Sequence, residues 1–170
     1  MIRPMKTGIA LGSNLGDRAA QMAVARDFIF TLHEGSDAPL GSALYETEPV
    51  GCVAGTAAFF NAVVEIETNL EPLHLLQRLH RYENESGRAP IRPKNSPREI
   101  DLDLLYAGAV QMATGELVLP HPRMTSRRFV LQPLADIRAD LILPGQSSSV
   151  AQLLSGLPAA PVARLVSTKW

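Results

Sequence analysis

Residues Ile100-Asp101-Leu102-Asp103-Leu104-Leu105-Tyr106 set apolar side chains against acidic ones, and this alternation constrains the chain more than any other stretch. Strict alternation marks a strand with one buried face. Side chains two apart on a strand point the same way, about 7 Å apart along it. Asp101 and Asp103 therefore stand together on one face, with Ile100, Leu102 and Leu104 anchoring the strand from behind. Two ionised carboxylates that close repel unless a cation sits between them. Mg²⁺ suits the place, because it takes one or two protein carboxylates and completes its shell with water and phosphate oxygens. Arg98, just upstream, is spaced to hold a phosphate from the other side. An Asp-x-Asp pair is also the ordinary pattern of a solvated strand face, so the choice falls to the rest of the chain.

The 170 residues, 46% of them apolar, are enough for a single domain with a real core, expected over 1–170 with a catalytic core at about 6–144. No apolar run approaches the length of a membrane span, and Met1 to Lys6 lacks the features of a secretory signal. The lone cysteine, Cys52, has no internal disulfide partner, and no Cys/His cluster has zinc spacing. A cytoplasmic protein is the expectation. Net charge is −1, which argues against a surface built for nucleic acid and leaves phosphate binding to local clusters. Two such clusters flank the aspartate strand. Arg88, Arg92, Lys94 and Arg98 lie in a segment with three prolines and no acid, and His121, Arg123, Arg127 and Arg128 precede Phe129.

Elsewhere the periodicities are regular. Gly8 to Leu11 reads as a buried strand ending in the turn Gly12-Ser13-Asn14-Leu15-Gly16-Asp17, and Asp17 to Leu32 as a helix with Asp17 as its N-cap or a first-turn acid. The turn fits neither a Walker A nor a Gly-x-Gly-x-x-Gly pattern, so it is expected to place Ser13 and Asn14 beneath a site without itself binding phosphate. Ala38 to Glu48 reads as one strand, and residues 47–56 as a loop that is either a plain connection or a lid. Phe59 to Glu67 is a strand that puts Phe59 beside Asn61, an aromatic face next to an amide. Glu71 to Ser86 is a helix with Pro72 in its first turn, Ala109 to Leu119 a hairpin, Val130 to Ile137 a short helix, and Ser149 to Leu157 another. The tail to Trp170 shows no legible chemistry. A carboxylate pair, cationic loops and a heterocycle pocket are together the parts of a phosphoryl-transfer site.

In the same order these segments resemble the 6-hydroxymethyl-7,8-dihydropterin pyrophosphokinase family of folate biosynthesis. The likeness runs from about Gly8 to Pro144. It is carried by Ala10-Leu11-Gly12-Ser13-Asn14-Leu15-Gly16, Tyr45-Glu46-Thr47-Glu48-Pro49-Val50-Gly51, Phe59-Phe60-Asn61-Ala62, Gly87-Arg88, Pro97-Arg98-Glu99-Ile100-Asp101-Leu102-Asp103, and Pro120-His121-Pro122-Arg123-Met124. The resemblance implies an α+β fold, a ferredoxin-like antiparallel sheet with helices packed against it. It implies transfer of diphosphate from ATP to the pterin hydroxymethyl group, with AMP leaving. It puts two Mg²⁺ on Asp101 and Asp103, and phosphate-stabilising catalytic roles on Arg88 and Arg98. It assigns ATP contacts to Glu83, Arg88, Lys94, Arg98, His121 and Arg127. The pterin falls to Thr47, Glu48 and Val50 at its edge, Asn61 in its plane, and Phe59 and Phe129 on its two faces. Lys94-Asn95-Ser96 replaces the family's frequent Arg-Trp-Gly, and Phe59 a frequent tyrosine.

The expected partners are thus ATP and 6-hydroxymethyl-7,8-dihydropterin, acting on a monomer with no nucleic acid and no membrane. Two rivals stand beside this reading. One is another Mg-dependent phosphotransferase or hydrolase using the same aspartates. The other is a ferredoxin-like RNA-binding module, which would need a basic surface and a Lys/Arg-Gly-Phe/Tyr run that the chain lacks.

Overall fold

The computed structural model describes residues 4–49, 52, 54–86 and 99–170. Val50, Arg88, Lys94 and Arg98 lie outside the described residues, as does the whole 88–98 segment. The central strands are β1 (Met5–Ser13), β3 (Leu44–Thr47), β4 (Phe59–Thr68) and β5 (Asp101–Ala107), with helices α1 (Arg18–Phe30) and α2 (Pro72–Glu85) between them. They lie in the order β5-β1-β4-β3, and every pairing is antiparallel. So β1–α1–β3 and β4–α2–β5 are each a pair of parallel strands split by a strand of the other unit. This is the ferredoxin-like arrangement the sequence pointed to. Among the described residues no helix is long and apolar enough to cross a membrane.

Alternation along the strands sorts their side chains onto two faces. Ile9, Leu11, Ala62, Val64, Ile66, Leu102 and Leu104 pack against Met22, Ala25 and Ile29 of α1 and Leu75 and Leu79 of α2. On the other face Val63, Leu105 and Tyr106 meet Val130, Leu131 and Leu134 of α3 (Arg128–Arg138), and Val150 of α4 (Val150–Ser155). The sheet is therefore buried between helical layers. Each large aliphatic side chain so covered contributes about 1.5–3 kcal/mol. Helix starts follow local chemistry. Asp17 accepts from the Ala20 N–H at 3.1 Å, Pro72 opens α2, and Ser149 and Gln152 form a capping box at α4.

Two expectations need correction. The Ala38–Glu48 strand is broken into β2 (Leu40–Gly41) and β3, because the Ser42 hydroxyl takes the Val63 N–H at 2.9 Å and the Asp136 carboxylate takes the Ala43 N–H at 3.1 Å. Side-chain acceptors there replace the strand ladder. The tail, which showed nothing legible, adds strand β8 (Arg164–Ser167) beside β3, and the Trp170 indole N–H donates to the Ser42 carbonyl at 2.8 Å. The expected hairpin is present as β6 (Met112–Ala113) and β7 (Val118–Leu119).

Gly8 shows how tightly this sheet is tuned. It pairs with Glu65 on one side and Tyr106 on the other, and the Tyr106 ring crosses it so that its hydroxyl reaches Glu65 Oε2 at 2.5 Å. A Cβ at position 8 would lie 2.3 Å from that ring. The ring is held at its far end and cannot swing clear. Gly8→Ala is therefore expected to destabilise the fold by about 2–3 kcal/mol, read from urea unfolding.

Candidate active site

The site is built on the face that carries α3, at the end of the sheet that α3 leaves uncovered. Strand register puts Tyr45, Asn61, Gly12 and Asp101 in one row across β3, β4, β1 and β5. Asp103 stands in the next row, opposite Ala10 and Val63. Adjacent strands are about 4.8 Å apart, so the Asn61 amide and the Asp101 carboxylate are separated by roughly 10 Å of sheet. Gly12 lies between them and presents no side chain. That leaves a floor of backbone between a flat hydrogen-bonding group and a pair of carboxylates.

The Asn61 end is dry and fixed. Asn61 is 7% exposed, and its Nδ2 donates to Thr47 Oγ1 at 2.7 Å. Phe59, two residues earlier, is half-buried on the same face, and Glu48 is exposed at the strand's end. Beside Asn61, Tyr45 donates its hydroxyl to Asp136 of α3, 2.9 Å from each carboxylate oxygen. Burial, reinforced by that carboxylate, pushes the Tyr45 hydroxyl up to about 12, so it stays a donor.

At the other end, the Asp103 side chain is 42% exposed, with Arg127 Nη1 3.8 Å from its Oδ2. The His121 N–H donates to the Leu105 carbonyl at 2.7 Å, which seats the 120–127 loop against β5. His121 Nδ1 accepts from the Arg123 N–H at 3.2 Å, so its Nε2 carries the proton in the neutral ring. Burial holds His121 below its ordinary value; Asp103 opposes this, while Arg127 and Arg123 add to it. Phe129, the second residue of α3, is half-buried, with the Arg127 guanidinium 5.4 Å from its ring centre. Among the described residues no group of three or more His, Cys, Asp or Glu gathers as a closed metal cage. Two oxygen donors on an open face suit Mg²⁺, which leaves most of its shell to water and phosphate.

A family model described as 7,8-dihydro-6-hydroxymethylpterin-pyrophosphokinase matches residues 8–139, which include both ends of this floor. The chain belongs to that family. Relatives agree. The 2-amino-4-hydroxy-6-hydroxymethyldihydropteridine pyrophosphokinase of Bacillus subtilis is 43% identical over 131 residues, 76% of this chain and 75% of that one. The Pseudomonas aeruginosa protein of the same name is 39% identical over 158 residues, 92% and 94% of the two chains. The Plasmodium falciparum HPPK-DHPS crystal structure with pteroate superposes with a TM-score of 0.69 at 14% identity, which speaks for the fold alone. This chain spans 91% of its own length in that match but only 43% of the Plasmodium chain.

Within this pyrophosphokinase family chain, several residues fall where the sequence did not put them. Glu83, expected on the nucleotide, is 1% exposed on the α1 and α2 side of the sheet, and its Oε1 accepts from the Leu102 N–H at 2.8 Å. A side chain pointing inward from α2 supports a scaffolding role, holding the backbone between Asp101 and Asp103. The second cationic cluster divides. Arg127 turns to Asp103, whereas Arg128 donates to the Leu154, Leu157 and Pro158 carbonyls and ties down the end of α4. Ser13 and Asn14, expected beneath the site, are 0% and 3% exposed. Asn14 Nδ2 reaches the Ala57 carbonyl at 3.4 Å, and Gln21 packs its amide against Ser13 Oγ at 3.0 Å. With its NH₂ turned inward, Gln21 also donates to the Leu15 and Glu99 carbonyls, linking the turn after β1 to the approach to β5. Arg18 and Gln21 were not singled out from the sequence, and Tyr45 was named there only as the start of a motif, with no role.

Proposed function

We propose that this chain carries out the pyrophosphokinase step of folate biosynthesis, passing the terminal diphosphate of ATP to 6-hydroxymethyl-7,8-dihydropterin. The observation that carries this is the row Asn61–Gly12–Asp101, an amide and a carboxylate at opposite ends of a bare backbone floor. Its span of roughly 10 Å suits a bicyclic heterocycle with a short arm. The pterin ring lies at the Asn61 end. Its amide-like edge pairs with Asn61 and with groups around Thr47, Glu48 and Val50, and Phe59 and Phe129 cover its faces. The hydroxymethyl arm then points along β1 toward β5.

The hydroxymethyl oxygen attacks the β-phosphorus of ATP and gives its proton to water. The bond from that phosphorus to the α–β bridging oxygen breaks, and AMP leaves with the electron pair. Asp101 and Asp103 would hold two Mg²⁺, which would supply charge neutralisation at the triphosphate. His121, neutral with its proton on Nε2, donates to a phosphate oxygen, and Arg127 moves from Asp103 to phosphate. Arg88, Lys94 and Arg98 supply further cationic contacts, with Arg88 and Arg98 stabilising charge on the transferring group. Catalysis is then positioning and electrostatics, without a covalent intermediate.

The test is a product assay with ATP, Mg²⁺ and the pterin alcohol. AMP is expected in equal amount to the pterin diphosphate, with none formed when the pterin alcohol is left out or EDTA is added. Release of ADP or inorganic phosphate instead would assign the site to another phosphotransferase or hydrolase.

A further inference from the structure

The back of the pterin floor carries a device that the proposed reaction does not use. Strand residues alternate, so Thr47, Phe59 and Asn61 face the site while Glu46 and Phe60 face α1. Arg18, the first residue of α1, reaches this back face. Its Nη1 donates to the Ala58 carbonyl at 2.6 Å, its Nη2 lies 3.0 Å from Glu46 Oε1, and its guanidinium stacks 3.9 Å over the Phe60 ring. It therefore grips the chain on both sides of Phe59. Through Glu46 it also grips the residue before Thr47, whose hydroxyl receives the Asn61 amide.

We infer that Arg18, acting with Glu46, is a positioning residue for the pterin half of the site. It sets where Phe59 enters β4 and how β3 and β4 align behind Thr47 and Asn61. It touches neither substrate. The inference rests on the pterin reading above and goes beyond it, because it assigns a role to a side chain on the opposite face of the sheet.

The surroundings make this role separable from folding. Glu46 is shared, since Arg164 of β8 also pairs with its carboxylate. Those two guanidiniums, Arg164 first, hold Glu46 below the usual carboxylate range against the opposing effect of burial. Removing Arg18 therefore leaves Glu46 with a cation, and no charge is stranded. The Ala58 carbonyl and the Phe60 ring do lose their partner. The ATP side is insulated as well, because Asp101 and Asp103 lie on β5 with β1 between them and β4.

Arg18→Met keeps an unbranched apolar side chain and deletes both polar contacts and the guanidinium stack on Phe60. AMP-release kinetics should show the KM for the pterin alcohol rising about 10-fold, because a small misplacement of a binding group is costly. The KM for ATP and the turnover at saturation should stay within about 2-fold of wild type. Arg18→Lys should recover only part of the loss, since a single ammonium cannot serve the Glu46 carboxylate and the Ala58 carbonyl in the same fork. Glu46→Gln should give a smaller rise in the same KM, and it decides the matter if Arg18→Met does not fold. An unchanged pterin KM in the foldable variants, or an equal rise for ATP, would overturn the inference while leaving the activity assigned. A wild-type protein that makes no AMP from ATP and the pterin alcohol would overturn both.

Discussion

Asp101→Ala and Asp103→Ala are each expected to lower turnover by about 10³-fold or more, a loss of about 4 kcal/mol in transition-state stabilisation. The fold should survive both changes. Each side chain projects at the end of the sheet that α3 leaves uncovered, and strand β5 is secured from behind by Leu102 and Leu104 and along its backbone by Glu83. The contact from Arg127 to Asp103 is long, 3.8 Å, and 42% of the Asp103 side chain is open to water. An ion pair that exposed contributes at most about 1 kcal/mol. Removing one carboxylate also relieves the repulsion of its neighbour. The midpoint of thermal unfolding should thus stay within roughly 4 °C of wild type, judged against the usual scaling for a chain of this size. Asn replacements, which keep the shape and lose the charge, should be nearly as slow as Ala. Wild-type-like turnover in both Ala variants would remove the metal assignment, and the ATP chemistry would need another centre.

Those aspartates were legible because a strand writes its faces into a period of two, and Asp101 and Asp103 obey it locally. The ferredoxin-like class was legible for the same reason, together with the resemblance of the motifs. Register was not. That Asn61, Gly12 and Asp101 share a row depends on how three strands slide past one another, and no short window encodes that. Clusters of charge misled for a related reason. Arg127 and Arg128 are neighbours in sequence, yet one precedes α3 and the other begins it, so their side chains diverge to Asp103 and to the end of α4. Glu83, which the resemblance put on ATP, sits on the same stripe of α2 as Leu75 and Leu79 and points inward with them. Arg18 left a signal that was readable in principle. A cation at the first position of a helix opposes the macrodipole, and beyond the Asp17 cap the first turn of α1 has no acid to offset it. A residue placed against its local preference is held by something distant, here Glu46 and the Ala58 carbonyl.

Glu65→Ala is expected to be the most damaging change to stability away from the site. Glu65 is 4% exposed on β4, on the same face as Asn61 but at the far end of the strand. Its carboxylate takes Arg138 Nη2 and Nε at 2.5 and 3.0 Å, and the Tyr106 hydroxyl at 2.5 Å. The network joins the last turn of α3 to the two strands that flank Gly8. Burial, and then the adjacent carboxylate, drive the Tyr106 hydroxyl far above its ordinary range, so it remains a donor at any ordinary pH. Deleting Glu65 leaves a buried hydroxyl and a guanidinium without their acceptor. Breaking a buried pair from one side costs about 3–5 kcal/mol. The Arg138 side chain is 31% exposed and can turn toward water, so the lower figure of about 3 kcal/mol applies. That corresponds to a fall of roughly 6–12 °C in the unfolding midpoint. Glu65→Gln keeps an acceptor and should lose less, and Tyr106→Phe, which removes only one donor, less again. Because Asn61 and Asp101 lie at the other end of the sheet, the KM values for ATP and the pterin alcohol should hold in the Gln variant even as its midpoint falls. A loss of substrate affinity in step with the loss of stability would instead mean that this network and the site move as one unit through β4.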